Sequence, residues 1–201
     1  MDAVRSRSMD AVRSRGMVAD YLRELGGALD ELASQQETLG DITTMLLRTL
    51  QDDRRVYLFG NGGSAATASH AACDLIKTAA VEGKPRLQAQ CLNDSMPVMT
   101  ALANDISYND TLSWQVDALL RKGDVLIIFS ASGNSPNLLA GIAAAKAKGV
   151  SVVGILGFGG GAAKAMCDAA MVCSSREYGP AEDFHIIVTH VLTVAVRNAQ
   201  R

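Results

Sequence analysis

The sequence predicts a doubly wound α/β sandwich, a mainly parallel sheet covered by helices on both faces. Three observations predict it. Short apolar runs alternate with helix-length segments along most of the chain. The runs VYLF, VLIIF and VVGIL are continuously apolar rather than alternating, as strands buried on both faces of a parallel sheet must be. Finally, 201 residues at 48% hydrophobic and 4% aromatic suffice for one sizeable core, so residues 17–201 read as a single domain.

Taken in order, residues 1–16 hold MDAVRSR twice, at Met1–Arg7 and Met9–Arg15. The four arginines could form a basic arm for an acidic partner, or the repeat could be a duplicated start; the segment is read as a disordered extension. Val18, Tyr21, Leu22, Leu25, Leu29 and Leu32 then recur at helical spacing. Gln35–Thr38 interrupts the stripe, and Leu39, Ile42, Met45, Leu46 and Leu50 resume it up to Asp52-Asp53. Two such helices ahead of a first strand must cover the sheet or a partner subunit. Strands follow at 56–60, 87–92, 125–130, 150–156 and 169–173. Helices follow at 65–77, 111–122, 137–148, 162–168 and 181–198, with only a polar stretch expected around Asn104 and Asp105.

Charge and cysteine content narrow the function classes. Nineteen basic against 21 acidic residues give a net charge of −2, which offers no attraction to nucleic acid or an anionic membrane. No apolar run reaches the roughly 18 residues of a membrane span, and the amino terminus lacks a signal-peptide core. Cys73, Cys91, Cys167 and Cys173 have neither CxxC spacing nor the density of a secreted scaffold, and read as reduced thiols of a cytoplasmic protein.

Ligands of doubly wound sheets bind beyond the carboxyl ends of the strands. Two strands here end in loops made for an anion. The first is Gly60-Asn61-Gly62-Gly63-Ser64; the second is Ser130-Ala131-Ser132-Gly133-Asn134-Ser135, directly before a helix. Backbone amides at a helix start, serine hydroxyls and the helix dipole can hold a phosphate dianion without a lysine. Neither loop has the Walker or the dinucleotide-binding spacing, so no nucleotide cofactor is expected, and a phosphorylated metabolite is.

Polar residues on two helices supply candidate chemistry. His70 and Asp74, four apart, share a helix face. They could brace the helix through a hydrogen bond, or act together on one atom or ion. In the apolar final helix, Glu182 and His190 are eight apart, about 80° around the axis and roughly 12 Å along it, so their side chains could converge on a point between them. Two imidazoles and two carboxylates suit a divalent ion such as zinc and equally suit proton transfer. An aldose–ketose isomerisation needs such a base and acid, aided by metal polarisation of the carbonyl.

GNGGS with its following His70, the SASGNS loop, Asn104-Asp105 and the terminal EDxHxxxxH together resemble the sugar isomerase (SIS) domain family, within it the phosphoheptose isomerases, over residues 17–198. The resemblance implies a flavodoxin-like three-layer sandwich and a homotetramer with active sites at subunit interfaces. It implies conversion of sedoheptulose 7-phosphate to D-glycero-D-manno-heptose 7-phosphate. Asp74 and His190 would be catalytic. Asn61, Gly62, Ser64, Asp105, Ser130, Ser132, Ser135 and Glu182 would bind substrate, and His70, Asp74, Glu182 and His190 would hold one zinc ion per active site. The family commonly has Glu at Asp74, Gln at Glu182 and Thr at Ala131. Other members of the domain family are assembly factors that bind a replication initiator, and a sugar-phosphate sensor without turnover is a further alternative; retention of the carboxylate and both histidines favours the enzyme.

Overall fold

The computed structural model describes the backbone of residues 2–201 and the side chains of residues 16–201. The expectation of a disordered extension at residues 1–16 thus lies, but for Gly16, outside the fully described residues. Five strands, β1 (Arg55–Gly60), β2 (Gln88–Cys91), β3 (Val125–Ser130), β4 (Ser151–Leu156) and β5 (Ala169–Val172), pair in parallel in the order β2-β1-β3-β4-β5. That is the flavodoxin-like doubly wound order, in agreement with the expected class. Strand order reverses between β1 and β3, so the loops leaving these two strands diverge and open a crevice between them. GNGGS and SASGNS are those two loops.

Strand side chains alternate between two cores. On one face Val56, Leu58, Ile127, Phe129 and Ile155 pack with Ala28 of α1 (Asp2–Ser34), Leu46 of α2 (Gln36–Gln51), Ala71 of α3 (Gly63–Cys73) and Val188 of α8 (Tyr178–Ala199). On the other, Tyr57, Phe59, Leu126, Ile128 and Val152 meet Val116 of α5 (Thr111–Leu119), Leu138 of α6 (Pro136–Ala147) and Ala163 of α7 (Gly161–Met166). Burying each large apolar side chain contributes about 1.5–3 kcal/mol. A 12-residue helix such as α6 is marginal alone, so the sheet faces hold the helices in place.

The interruption read between the first two helices falls at Gln35, which serves the sheet edge. Its Nε2 donates to the Val172 carbonyl and its Oε1 accepts from the Val172 amide, each at 2.8 Å. The side-chain amide thus takes the place of a sixth strand along β5 and closes its exposed edge. Tyr21 Oη donates to Asp183 Oδ2 at 2.5 Å and packs on Gly179, clamping the start of α8 to α1.

One element departs from the expectation of a mere polar stretch. Met96–Asp105 is a helix, α4, with Pro97 in its first turn. None of its residues is fully buried and Met99 alone packs partly against the core, so periodicity has little of a core-facing stripe to reveal. Helix α3 also begins two residues earlier than expected and passes into a π-helical turn at Asp74–Thr78, where Ala79 N donates to Asp74 O at 2.9 Å. Helix α8 begins at Tyr178 rather than Ala181. No described helix is long and apolar enough to cross a membrane.

Candidate active site

The two loops at the switch point line one cleft of about 300 Å³. Its walls include Asn61, Gly62, Ser64, Ser130, Ser132 and Ser135, joined by Tyr178 and Glu182 from the first turns of α8. Helices α3 and α6 start at this cleft, so the positive ends of their dipoles favour an anion there. Among the described residues, no lysine, arginine or histidine lines it.

The serine loop is shaped by its own hydroxyls. Ser130 Oγ accepts from Gly133 N at 2.9 Å and Ser132 Oγ accepts from Asn134 N at 3.2 Å. Ser135 sits at the N-cap of α6 without making a side-chain cap bond, so its hydroxyl can serve a ligand. Gly133 adopts φ +62°, and a Cβ there would lie 2.1 Å from the Gly160 carbonyl oxygen. Only glycine meets both demands. Ala163 N donates to Gly133 O and Ala162 N to Asn134 Oδ1, each at 2.9 Å, which buttresses the loop from α7.

The two loops are also locked to each other. Asn61 and Asn137 exchange amide hydrogen bonds in both directions, each 2.9 Å, and Tyr108 Oη donates to Asn61 Oδ1 at 2.9 Å. Asn137 is buried, so the pair is shielded from water. Asn93 holds the other side of the glycine turn, accepting from Gly60 N and donating to Gly60 O. Asn137, Tyr108, Asn93 and Tyr178 were not singled out in the sequence. Asn137, a polar residue in the first turn of an apolar helix, offered a signal; the others did not.

A second cluster lies farther along α3 and α8. His70 Nε2 stands 3.2 Å from His190 Nε2 and 3.2 Å from Asp74 Oδ2, and His190 Nε2 is 3.8 Å from the same oxygen. The three donor atoms lie within 4.8 Å of one another. Thr78 Oγ1 donates to Asp74 Oδ1 at 2.9 Å, which fixes the carboxylate and turns Oδ2 towards the imidazoles. Both histidine side chains are about half exposed, 51% and 53%, while that of Asp74 is 16% exposed, so the cluster is open to a ligand. Ligand atoms about 2.0–2.2 Å from a tetrahedral zinc stand roughly 3.3–3.5 Å apart. The observed spacings and the two-imidazole, one-carboxylate chemistry fit such an ion.

Two expected participants lie elsewhere. Glu182 does not join the three-residue cluster. Its Oε1 lies 2.8 Å from where a Cβ on Gly63 would be, so it packs against the start of α3, and the roughly 12 Å between positions 182 and 190 of one helix is not bridged. Gly63 therefore makes room for this carboxylate. Asp105 is exposed at the end of α4, where its carboxylate accepts from Asn104 Nδ2 at 2.7 Å, and it does not line the cleft.

His185, the first histidine of the terminal EDxHxxxxH, is fully buried. Its ring stands 6.2 Å from that of Phe129, edge to face, and neither nitrogen has a hydrogen-bond partner. Burial pushes its pKa down to about 4.

Comparison with known proteins agrees with this architecture. Residues 20–157 match the SIS domain family model. The chain is 37% identical over 169 residues to a phosphoheptose isomerase of Nitratidesulfovibrio vulgaris, covering 83% of this chain and 81% of that one. It is 39% identical over 157 residues to a phosphoheptose isomerase of Campylobacter concisus, with 78% and 82% covered. The structure of a phosphoheptose isomerase from Neisseria gonorrhoeae superposes with a TM-score of 0.83 at 27% identity, covering 94% of this chain and 98% of that one. One from Francisella tularensis, at 22% identity, shares the fold with the same score. With the doubly wound order, the paired loops of the crevice and relatives of this similarity over most of its length, the chain belongs to the SIS domain family, in its phosphoheptose isomerase branch.

Proposed function

We propose that the protein isomerises a phosphorylated sugar, sedoheptulose 7-phosphate to D-glycero-D-manno-heptose 7-phosphate, through an enediol. The observation that carries this reading is the separation of a serine-rich anion cradle from the His70–Asp74–His190 cluster along the same two helices. From Ser64, His70 is about 9 Å and Asp74 about 15 Å farther along the helix at 1.5 Å per residue. A ligand gripped by its phosphate at Ser64, Ser130, Ser132 and Ser135 reaches the cluster with its opposite end, where a ketose carries its carbonyl.

At that end the chain's own groups move the protons. Asp74 Oδ2 takes a proton from C1, the C1–C2 bond gains double-bond character, and the resulting carboxylic acid, whose O–H exchanges with solvent, delivers a proton to C2. His190 carries the accompanying proton between the two oxygens, so that the ketone becomes a hydroxyl as the C1 hydroxyl becomes the aldehyde. His70, Asp74 and His190 would hold a zinc ion, which when bound supplies Lewis-acid polarisation of the carbonyl oxygen. Thr78 engages Oδ1 and so leaves Oδ2 as the carboxylate oxygen that faces the imidazoles. Glu182, the one charged group lining the cleft among the described residues, would take sugar hydroxyls rather than phosphate, since like charges repel.

We further propose a cytoplasmic homotetramer. Support comes from four free cysteines and from the exposed face of α1, where Met17, Val18, Leu22 and Leu29 are 72%, 57%, 60% and 42% exposed. Such a face calls for a partner surface.

His190→Ala and Asp74→Asn are expected to lower kcat by about 10²–10⁴ with the circular dichroism spectrum unchanged. Full activity in both would overturn the assignment. Elemental analysis of protein purified without added metal, repeated on His70→Ala, is expected to show zinc in the first and its loss in the second.

A further inference from the structure

The loop after β4 contains an unusual run of backbone. Phe158, Gly159, Gly160 and Gly161 have φ of +51°, +80°, +97° and +53° in succession. Three of the four are glycine, for which positive φ carries no steric penalty. The fourth is a bulky aromatic residue in a conformation that such side chains avoid. A strained residue persists where its surroundings and its task hold it there, and such residues cluster at ligand sites. A fourth glycine would relax this loop, so the side chain of Phe158 is what the strain retains.

That side chain reaches the cleft through one neighbour. Its ring meets the ring of Tyr178 edge to face, with centroids 5.1 Å apart at 68°. Phe158 is half-buried, whereas Tyr178 is 64% exposed and lines the cleft beside Glu182, four residues later on the same face of α8. Phe158 N donates to Ser175 O at 3.2 Å and Gly159 N to Cys173 O at 3.0 Å, which anchors the loop to the segment that leads into α8. Tyr178 is thus an exposed aromatic ring at the mouth of a cleft otherwise lined mostly by serines, glycines and asparagine, and it is braced from behind.

Resting on the sugar-phosphate reading above, we propose that Tyr178, positioned by Phe158, is the wall of the cleft against which the carbon chain of the substrate packs, so that the pair sets the preference for a phosphorylated sugar over phosphate alone. The C–H edge of an extended polyhydroxy chain lies on the ring, and Glu182 takes its hydroxyls. Inorganic phosphate has no carbon chain and meets only the serine loops.

The test compares wild type, Tyr178→Ala, Phe158→Gly and Phe158→Tyr, with sedoheptulose 7-phosphate as substrate and inorganic phosphate as competing ligand. Tyr178→Ala and Phe158→Gly are expected to raise KM about three- to tenfold, a loss larger than any in kcat. Inhibition by inorganic phosphate stays constant, Phe158→Gly keeps the wild-type circular dichroism spectrum, and Phe158→Tyr, which keeps the ring, retains the wild-type KM. An unchanged KM in both Tyr178→Ala and Phe158→Gly overturns the proposal. So does a parallel loss of phosphate inhibition, which would make the pair a mere support for the serine loop. If wild type turns over no ketose phosphate, the isomerase reading fails. The wall is then judged by calorimetric Kd for the same two ligands, and equal affinity of wild type for both would overturn it.

Discussion

Lowering the pH from 7 to 5 puts a charge question to His185. The folded protein holds this imidazole in an apolar core, unpartnered, with its pKa near 4 against 6.5 for an ordinary histidine. Between those two values the unfolded chain binds a proton that the folded chain refuses. Stability therefore falls as pH drops through that window, and His185 contributes no pH dependence above it. At about 1.36 kcal/mol per pH unit the full interval is worth roughly 3 kcal/mol, of which about 2 kcal/mol is lost between pH 7 and pH 5. For a chain of this length that corresponds to roughly 4–8 °C in Tm. Thermal unfolding followed by circular dichroism, at fixed protein concentration and ionic strength, is compared for wild type and His185→Leu at both pH values. Other titrating groups act in both proteins, so the difference of the two pH shifts isolates His185. His185→Leu is expected to melt at least as high as wild type at pH 7, because it removes two orphaned ring nitrogens, and to fall by roughly 4–8 °C less at pH 5. An identical fall in both proteins would refute the reasoning.

Two further perturbations address the cleft itself. Gly133→Ala combines a positive φ with a backbone clash at Gly160, and is expected to cost about 2–4 kcal/mol. Its melting point should fall and phosphate should cease to inhibit; wild-type Tm would show that the loop relaxes freely. Asn137→Ala removes a buried amide pair and leaves Asn61 held by Tyr108 alone, at a cost of about 1–3 kcal/mol. The expected signature is a raised KM for sugar phosphate together with lower stability, and an unchanged KM would remove the pair from the site's framework.

The three central strands of the sheet were legible because they are buried on both faces and so spell themselves as unbroken apolar runs. The two loops were legible because their glycines and serines follow such runs directly. Helix α4 was not, since it buries no residue fully, and Gln35 read only as a gap between helices although its amide pairs with the edge of β5 at Val172. The pairing of His70 with Asp74 followed from helical spacing, and their approach to His190 from the family resemblance. Glu182 shows where spacing fails. Two residues on one helix can point to a common place, yet Gly63 on a neighbouring helix leaves a hole that draws the carboxylate away, and no property of α8 alone reveals it. Tyr108 and Phe158 act across the crevice from distant segments, so only the assembled fold brings them to notice.

The central claim is that this chain moves a proton between adjacent sugar carbons. Sedoheptulose 7-phosphate incubated with the protein in deuterium oxide, with the product examined by NMR, tests it most directly. Wild type is expected to form a heptose 7-phosphate aldose carrying solvent deuterium at C2, and Asp74→Asn to form none. Absence of aldose from the zinc-loaded wild-type protein, or its equal formation by Asp74→Asn, would contradict it.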